Sequence, residues 1–193
     1  MTEPFPPHRI EPFLDEAAIL KRVDELADEI VDAVDGELHV VALLAGAIMF
    51  TADLVRALSR RGMNVRMSFI RASSYGAGTQ SSGQVGLGPL PRLVGDDVLL
   101  VDDILDTGRT LGRVGAAIES LGAKSVRTVV LLDKPSRRVV KLGADHVGFS
   151  IPDAFVIGYG LDWAGRFRNL RDVRIVRFPD AADSDAAIEA PEI

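Results

Sequence analysis

Cysteine is absent from the 193 residues, which excludes disulfides, thiol catalysis and cysteine-held zinc together and agrees with a cytoplasmic setting. Histidine is scarce: His8, His39 and His146 stand far apart, without the spacing of a metal-ligand set. No apolar run approaches the roughly 20 residues of a membrane span. The opening MTEPFPPHRI also lacks the basic-then-apolar layout of a secretory signal. An excess of positive charge is missing too. Of the net charge of −6, five negative charges fall from Pro179 onward, where no basic residue occurs, so the body before that point is nearly neutral. Such a body has no global field that recruits nucleic acid. The stretch 179–193 reads as a solvated acidic tail.

What is present is ordinary for one globular domain, with 47% hydrophobic and 26% charged residues. Behind Asp15 as a candidate N-cap, Ile19, Val23, Leu26, Ile30 and Val34 recur at helical spacing, and Gly36 ends the pattern. The run 38–44 reads as a buried strand, followed by a helix that aligns Phe50, Leu54 and Leu58 and stops at Gly62. Residues 65–72 alternate as a strand. The Gly- and Ser-rich stretch 73–91 is too polar for a core and reads as a flap loop. Val98 to Val101 form another apolar strand, Leu111, Val114, Ile118 and Leu121 another helix, and 125–132, 154–159 and 173–178 further strands. Strands alternating with helices predict an α/β fold around a mostly parallel sheet.

The densest polar cluster follows an all-apolar strand, in VLLVDDILDTGRTL (98–111). In open α/β sheets the carboxyl ends of the strands are where ligands bind. Neither G-x-x-x-x-G-K-[ST] nor G-x-G-x-x-G occurs, yet DTGRTL supplies a tight turn, the hydroxyls of Thr107 and Thr110, and the free N–H groups of a helix starting near Gly108. A monophosphate suits that turn. Asp102 and Asp103 repel phosphate and suit sugar hydroxyls or a divalent cation instead. Asp106, between the two, is placed to exchange a proton at the sugar's reactive carbon. Taken singly, each aspartate is as readily a helix cap or a solvated turn; their density after one strand favours a site. VLLVDD with DKP also suggests a phosphorelay receiver, but Lys134 follows the acidic pair too closely for that fold.

VLLVDDILDTGRTL resembles the 5-phosphoribosyl 1-pyrophosphate (PRPP) motif of type I phosphoribosyltransferases. LLAGAIMFTADLVRAL (43–58), FIRASSYG (69–76), LLDKPSRR (131–138) and VGFSIPDAFVIGYGLDWAGRFRNL (147–170) are similar, in order, to landmarks of the hypoxanthine-guanine branch. The resemblance implies a type I phosphoribosyltransferase fold with a small hood, as a single domain over 1–178, and a Mg²⁺-dependent purine salvage enzyme. It implies that Asp102 and Asp103 hold the ribose hydroxyls directly or through Mg²⁺, and that Asp106 accepts the purine N7 proton. The loop Asp106, Thr107, Gly108, Arg109 and Thr110 would hold the 5′-phosphate. Lys134 would read the 6-oxo group, Phe155 would stack on the base and the Val156 backbone would meet its Watson–Crick edge. On the pyrophosphate side, Asp162 would ligate Mg²⁺ close to the purine subsite, and Arg168 and the Ala45–Gly46 turn would hold the leaving group. Ser74 and Tyr75 would belong to the closing flap.

Three positions depart from the family pattern. Ala45 stands where many members carry lysine, Asp102 replaces the commoner glutamate, and Gln84 takes a frequently acidic position. Bland readings exist beside these roles: Phe155 as core, Lys134 as strand-end decoration, Trp163 as packing, Arg137 and Arg138 as surface or subunit-contact charges. The expected substrates are PRPP with hypoxanthine or guanine, without nucleic-acid or membrane partners, in a homodimer or homotetramer. Two alternatives remain open at this point: a xanthine-preferring enzyme, and a catalytically weak nucleotide- or RNA-binding regulator of the same fold.

Overall fold

The computed structural model describes residues 5–74 and 85–179, together with Pro191. Along the chain run β1 (Arg9–Leu14), α1 (Glu16–Ala33), β2 (Glu37–Leu44), α2 (Ile48–Arg60), β3 (Asn64–Ser74), β4 (Val85–Leu87) and β5 (Asp97–Leu105). They are followed by α3 (Arg109–Ser120), β6 (Ser125–Asp133), β7 (His146–Ser150), β8 (Val156–Ile157) and β9 (Val173–Arg177). The main sheet has the order β4-β3-β2-β5-β6-β7. All its pairings are parallel except β3 with β4. A second, antiparallel sheet of order β1-β9-β8 makes the hood.

Both faces of the main sheet are covered at its central strands β2 and β5, which is why these read as continuous apolar runs. Alternation sends Leu38, Val40, Leu99 and Val101 toward α1, α2 and the hood, and Val41, Leu43, Val98 and Leu100 toward Leu111, Val114 and Ile118 of α3. The helices bury the residues their spacing predicts: Ile19, Val23, Leu26 and Ile30 in α1, and Phe50, Leu54 and Leu58 in α2. Asp15 caps α1 by accepting the Ala18 N–H at 2.7 Å, an interaction typically worth ~1 kcal/mol.

Four expectations need adjustment. β5 does not stop at Val101 but runs through the acidic pair to Leu105, because Asp102 and Ile104 stay paired with Val130 and Leu132 of β6. The loop expected over 73–91 is narrower, since Ser73 and Ser74 pair with Gly86 and Val85; Tyr75, Gln84 and the residues between them lie outside the described residues, as does nearly all of 179–193. The strand expected over 154–159 shortens to β8. Finally, β1 and β7 had no recognisable pattern. Pro12 is tolerated in β1 because that strand is an edge, and Gly148 weakens the signal of β7, where a Cβ would fall 2.4 Å from the Leu131 carbonyl oxygen.

Candidate active site

The strand ends β2 and β5, the start of α3 and the hood enclose a cavity of ≈ 380 Å³. Into it the fold brings Ala45, Gly46, Asp102, Asp103, Asp106, Thr107, Gly108, Thr110, Asp162 and Arg168 from four separate segments. Asp102 and Asp103 both line this cavity, with their carboxyls close enough to interact. Asp103 lies against the turn after β2, where a Cβ on Gly46 would sit 1.6 Å from its Oδ2. Glycine is therefore required there by space, and the exposed Ala45, joined to Leu44 by a cis peptide, offers no charge.

Asp102 is buried, and its Oδ1 accepts the Asp103 N–H at 3.0 Å. The Ile104 N–H donates to Asp103 Oδ1 at 2.9 Å. Burial pushes the Asp102 carboxyl well above its ordinary value, and the adjacent Asp103 charge pushes the same way. Burial raises Asp103 as well, against its hydrogen bonds and the nearby Arg168 charge. Neither carboxylate forms an ion pair among the described residues.

The phosphate-loop candidate follows at once. Gly108 has φ 82°, a left-handed conformation that disfavours side chains, and it precedes α3 without any side-chain cap. The first N–H groups of α3 are thus left for a ligand, apart from a long 3.4 Å contact of the Arg109 N–H with Thr107 Oγ1. The Arg109 side chain is exposed and does not line the cavity, so its contribution is its backbone.

The loop is braced from outside. The N–H groups of Val139 and Val140 both donate to the Thr107 carbonyl at 3.0 Å. Arg138 donates to the carbonyls of Leu105, at 3.0 Å, and Asp106, and pairs with Asp133. Arg138 is therefore no surface charge. Its neighbour Arg137 reaches the site too, with Nε 3.1 Å from Asp106 Oδ1. Sequence reasoning passed over both, and the available signal was their place just after a strand carboxyl end.

Lys134, Phe155 and Val156 lie outside the cavity, on a shelf beside it. The Lys134 N–H donates to the Leu105 carbonyl at 3.0 Å, which ties the shelf to the phosphate loop. Its Nζ is buried, donates to the Ala154 carbonyl at 2.7 Å and sits 3.8 Å from Asp153 Oδ1. Burial pushes the Lys134 ammonium below its ordinary value, opposed by the charges of Asp106 and Asp153. Phe155 is not core: it is 43% exposed, and its ring meets Trp163 edge-on at 5.9 Å. Trp163 packs in turn against Phe5 at 4.1 Å and Phe178 at 5.5 Å. The Val176 N–H bonds the Phe155 carbonyl, so ladder alternation turns the N–H and C=O of Val156 to the open edge of the hood sheet.

Asp162 and Arg168 hold each other. Arg168 Nη2 lies 2.7 Å from Asp162 Oδ1, its Nη1 donates to the Gly160 carbonyl at 2.6 Å, and Asp162 Oδ2 accepts the Gly165 N–H at 2.7 Å. Ser74 ends β3 with its backbone paired to Val85, and Tyr75 falls outside the described residues.

Residues 10–163 match the phosphoribosyl transferase domain family. A hypoxanthine-guanine phosphoribosyltransferase of Aquifex aeolicus is 45% identical over 172 residues, covering 87% of this chain and 95% of the relative. A hypoxanthine phosphoribosyltransferase of Escherichia coli is 40% identical over 84% of this chain and 93% of its own length. Among solved structures, the Trypanosoma cruzi hypoxanthine phosphoribosyltransferase in complex with the product IMP superposes with TM-score 0.80 at 40% identity, covering 89% of this chain and 95% of that one.

Proposed function

The chain belongs to the phosphoribosyl transferase family, in its hypoxanthine-guanine branch, and from that premise we propose that it transfers the 5-phosphoribosyl group of PRPP to hypoxanthine or guanine. The products are the nucleoside 5′-monophosphate and pyrophosphate. The observation that carries this reading is one cavity joining an uncapped helix N-terminus, a buried carboxylate pair and an Asp–Arg pair, with Lys134 and the exposed Phe155 alongside.

On this reading the loop Asp106 to Thr110 holds the 5′-phosphate through backbone N–H groups and the two threonine hydroxyls. Asp102 and Asp103 hold the ribose diol, and their negative charge stabilises the cationic ribose that develops as the bond to pyrophosphate breaks. Asp106 accepts the N7 proton. Lys134 donates to O6, which disfavours adenine because its amino group is itself a donor. Phe155 stacks on the base, and the Val156 backbone meets its Watson–Crick edge. Arg168 grips pyrophosphate together with the N–H groups of the Ala45–Gly46 turn, and the segment around Ser74 and Tyr75 closes over the centre and excludes water.

The donor set fits Mg²⁺. Among the described residues no three or more metal-binding side chains converge into a cage, but Asp102, Asp103 and Asp162 line one cavity. Mg²⁺ characteristically takes one or two carboxylates and completes its shell with substrate oxygens and water. Bound there, it would neutralise the charge of the departing pyrophosphate.

The proposed catalytic unit spans 1–178 and works in the cytoplasm, with which a cysteine-free sequence is compatible; no helix among the described residues is long and apolar enough to cross a membrane. Met67 and Phe69 lie exposed on one face of β3, and with Ile48 they offer an apolar surface suited to a homodimer or homotetramer. The names of the relatives favour hypoxanthine and guanine over xanthine, and no observation favours a catalytically weak regulator. Incubation with Mg²⁺, PRPP and each of hypoxanthine, guanine, xanthine and adenine is expected to give nucleotide with the first two. Absence of turnover with every base overturns the proposal.

A further inference from the structure

Arg137 joins the two halves of the site. It closes a 3-10 turn, Pro135–Arg137, in which its N–H bonds back to the Lys134 carbonyl at 3.1 Å, so its stem is anchored beside the base-reading lysine. From there Nε reaches Asp106 Oδ1 at 3.1 Å on the phosphate loop, and Nη1 lies 3.5 Å from Asp153 Oδ2 on the shelf. Asp106 makes no other side-chain hydrogen bond or ion pair among the described residues, although its charge is also felt by Lys134.

We propose that Arg137 is a positioning residue for the phosphoribosyl transfer, holding the Asp106 carboxylate at the edge of the shelf where the purine N7 would lie. The inference rests on the function proposed above. A half-exposed aspartate on a loop turns about two side-chain bonds, and a general base must sit within hydrogen-bond reach of the proton it takes. The guanidinium removes that freedom while engaging Oδ1 alone, which leaves Oδ2 for the substrate proton. Asp153 fixes the guanidinium from the other side. Two carboxylates held by divergent nitrogens of one planar group is a task for arginine; an ammonium meets it in part, as a point charge.

The test is a kinetic cycle with Arg137→Ala, Arg137→Lys, Asp106→Asn and the double variant Asp106→Asn with Arg137→Ala, assayed with PRPP and hypoxanthine. Arg137→Ala is expected to lower kcat roughly 10- to 100-fold, the scale of a small misplacement, with KM for both substrates within about twofold. Arg137→Lys recovers part of the loss. In the double variant the loss is no greater than with Asp106→Asn alone, because Arg137 acts through that carboxylate. Multiplying losses, or a raised KM for the base with kcat retained, would show direct contact with substrate and overturn the proposal. So would an unchanged kcat. Thermal unfolding of each variant, expected near that of the unaltered chain for a half-exposed residue, separates misfolding from misplacement, and Arg137→Lys repeats the comparison if Arg137→Ala fails to fold. Inactivity of the unaltered chain with every base overturns the function and the role of Arg137 with it, whereas an active chain indifferent to Arg137 overturns only the latter.

Discussion

Strand β5 carries the same dipeptide at both ends: Asp96–Asp97 where it begins and Asp102–Asp103 near where it finishes. At the lower end every charge is answered. Asp96 meets His39 Nδ1 at 2.8 Å and Arg66 Nη2 at 2.6 Å, while His39 Nε2 lies 2.8 Å from Ser68 Oγ. Asp97 meets Lys124 at 2.7 Å and Ser125 Oγ at 2.6 Å. The hydrogen bond with His39 above all holds Asp96 below the usual carboxylate range, and that with Lys124 does the same for Asp97. At the upper end, burial drives Asp102 and Asp103 the other way, with no counter-ion in contact among the described residues. The lower pair is complete within the fold. The upper pair is held at a cost to the folded state that substrate hydroxyls or a cation would offset, the usual signature of a site and not of a strut.

This contrast is broken most directly at Asp106, the upper carboxylate proposed to take the proton. Asp106→Asn is expected to lower kcat by ~10²- to 10⁴-fold while leaving KM for PRPP nearly unchanged. Equal losses in both would make Asp106 a binding residue only. Lys134→Met probes the shelf, removing the charged donor proposed for O6. The expected rise in KM for hypoxanthine is roughly 10- to 100-fold, from a hydrogen bond to a charged group worth about 1.5–3 kcal/mol. Indifference of hypoxanthine KM would remove Lys134 from base recognition.

The lower end should respond in stability and not in rate. Asp96→Ala leaves the buried His39 Nδ1 without its carboxylate and Arg66 with Glu37 alone, at an expected cost of about 1.5–3 kcal/mol. In a chain of this size that is a fall in Tm of roughly 3–12 °C. The kcat of the variant, assayed well below its Tm, should match that of the unaltered chain; a large loss of rate would show that the two ends are coupled.

The same contrast marks how far the sequence could be read. Asp102 to Thr110 were legible because strand, carboxylates, turn and helix start are contiguous, so local pattern and site coincide. The two Asp-Asp pairs, by contrast, are identical as residue types, and only the apolar run before 102 separated them. Arg137 and Arg138 looked like surface charges because their partners Asp106 and Asp153, and the carbonyl of Leu105, become neighbours only when β5 and β6 pair and the hood folds over. Phe155 illustrates the opposite difficulty: a strand aromatic reads more readily as core than as platform, and its exposure rules out the core. The strands β1 and β7 escaped notice through Pro12 and Gly148, residues tolerated for reasons of edge position and close approach that no local pattern contains.

The smallest expected effect sets the two pairs against each other in one titration. The folded Asp102 carboxyl takes up its proton at a higher pH than it does in the unfolded chain. Its buried charge therefore costs stability in full above the raised value, and that cost is removed as pH falls through it. Asp96 and Asp97 act with the opposite sign, giving stability that is present above the ordinary carboxylate range and lost as pH falls through their lowered values. With substrate and divalent cations withheld by a chelator, the Asp102→Asn variant should be more stable than the unaltered chain wherever pH exceeds the raised Asp102 value, by roughly 2–4 °C in Tm for each kcal/mol relieved. That advantage should vanish as pH falls through the raised Asp102 value, while both chains still lose stability together at lower pH as Asp96 and Asp97 are protonated. Thermal unfolding followed from alkaline to acid pH reads both limbs. A Tm difference that stays constant with pH would mean that Asp102 is no more strained than its counterparts at the other end of the strand.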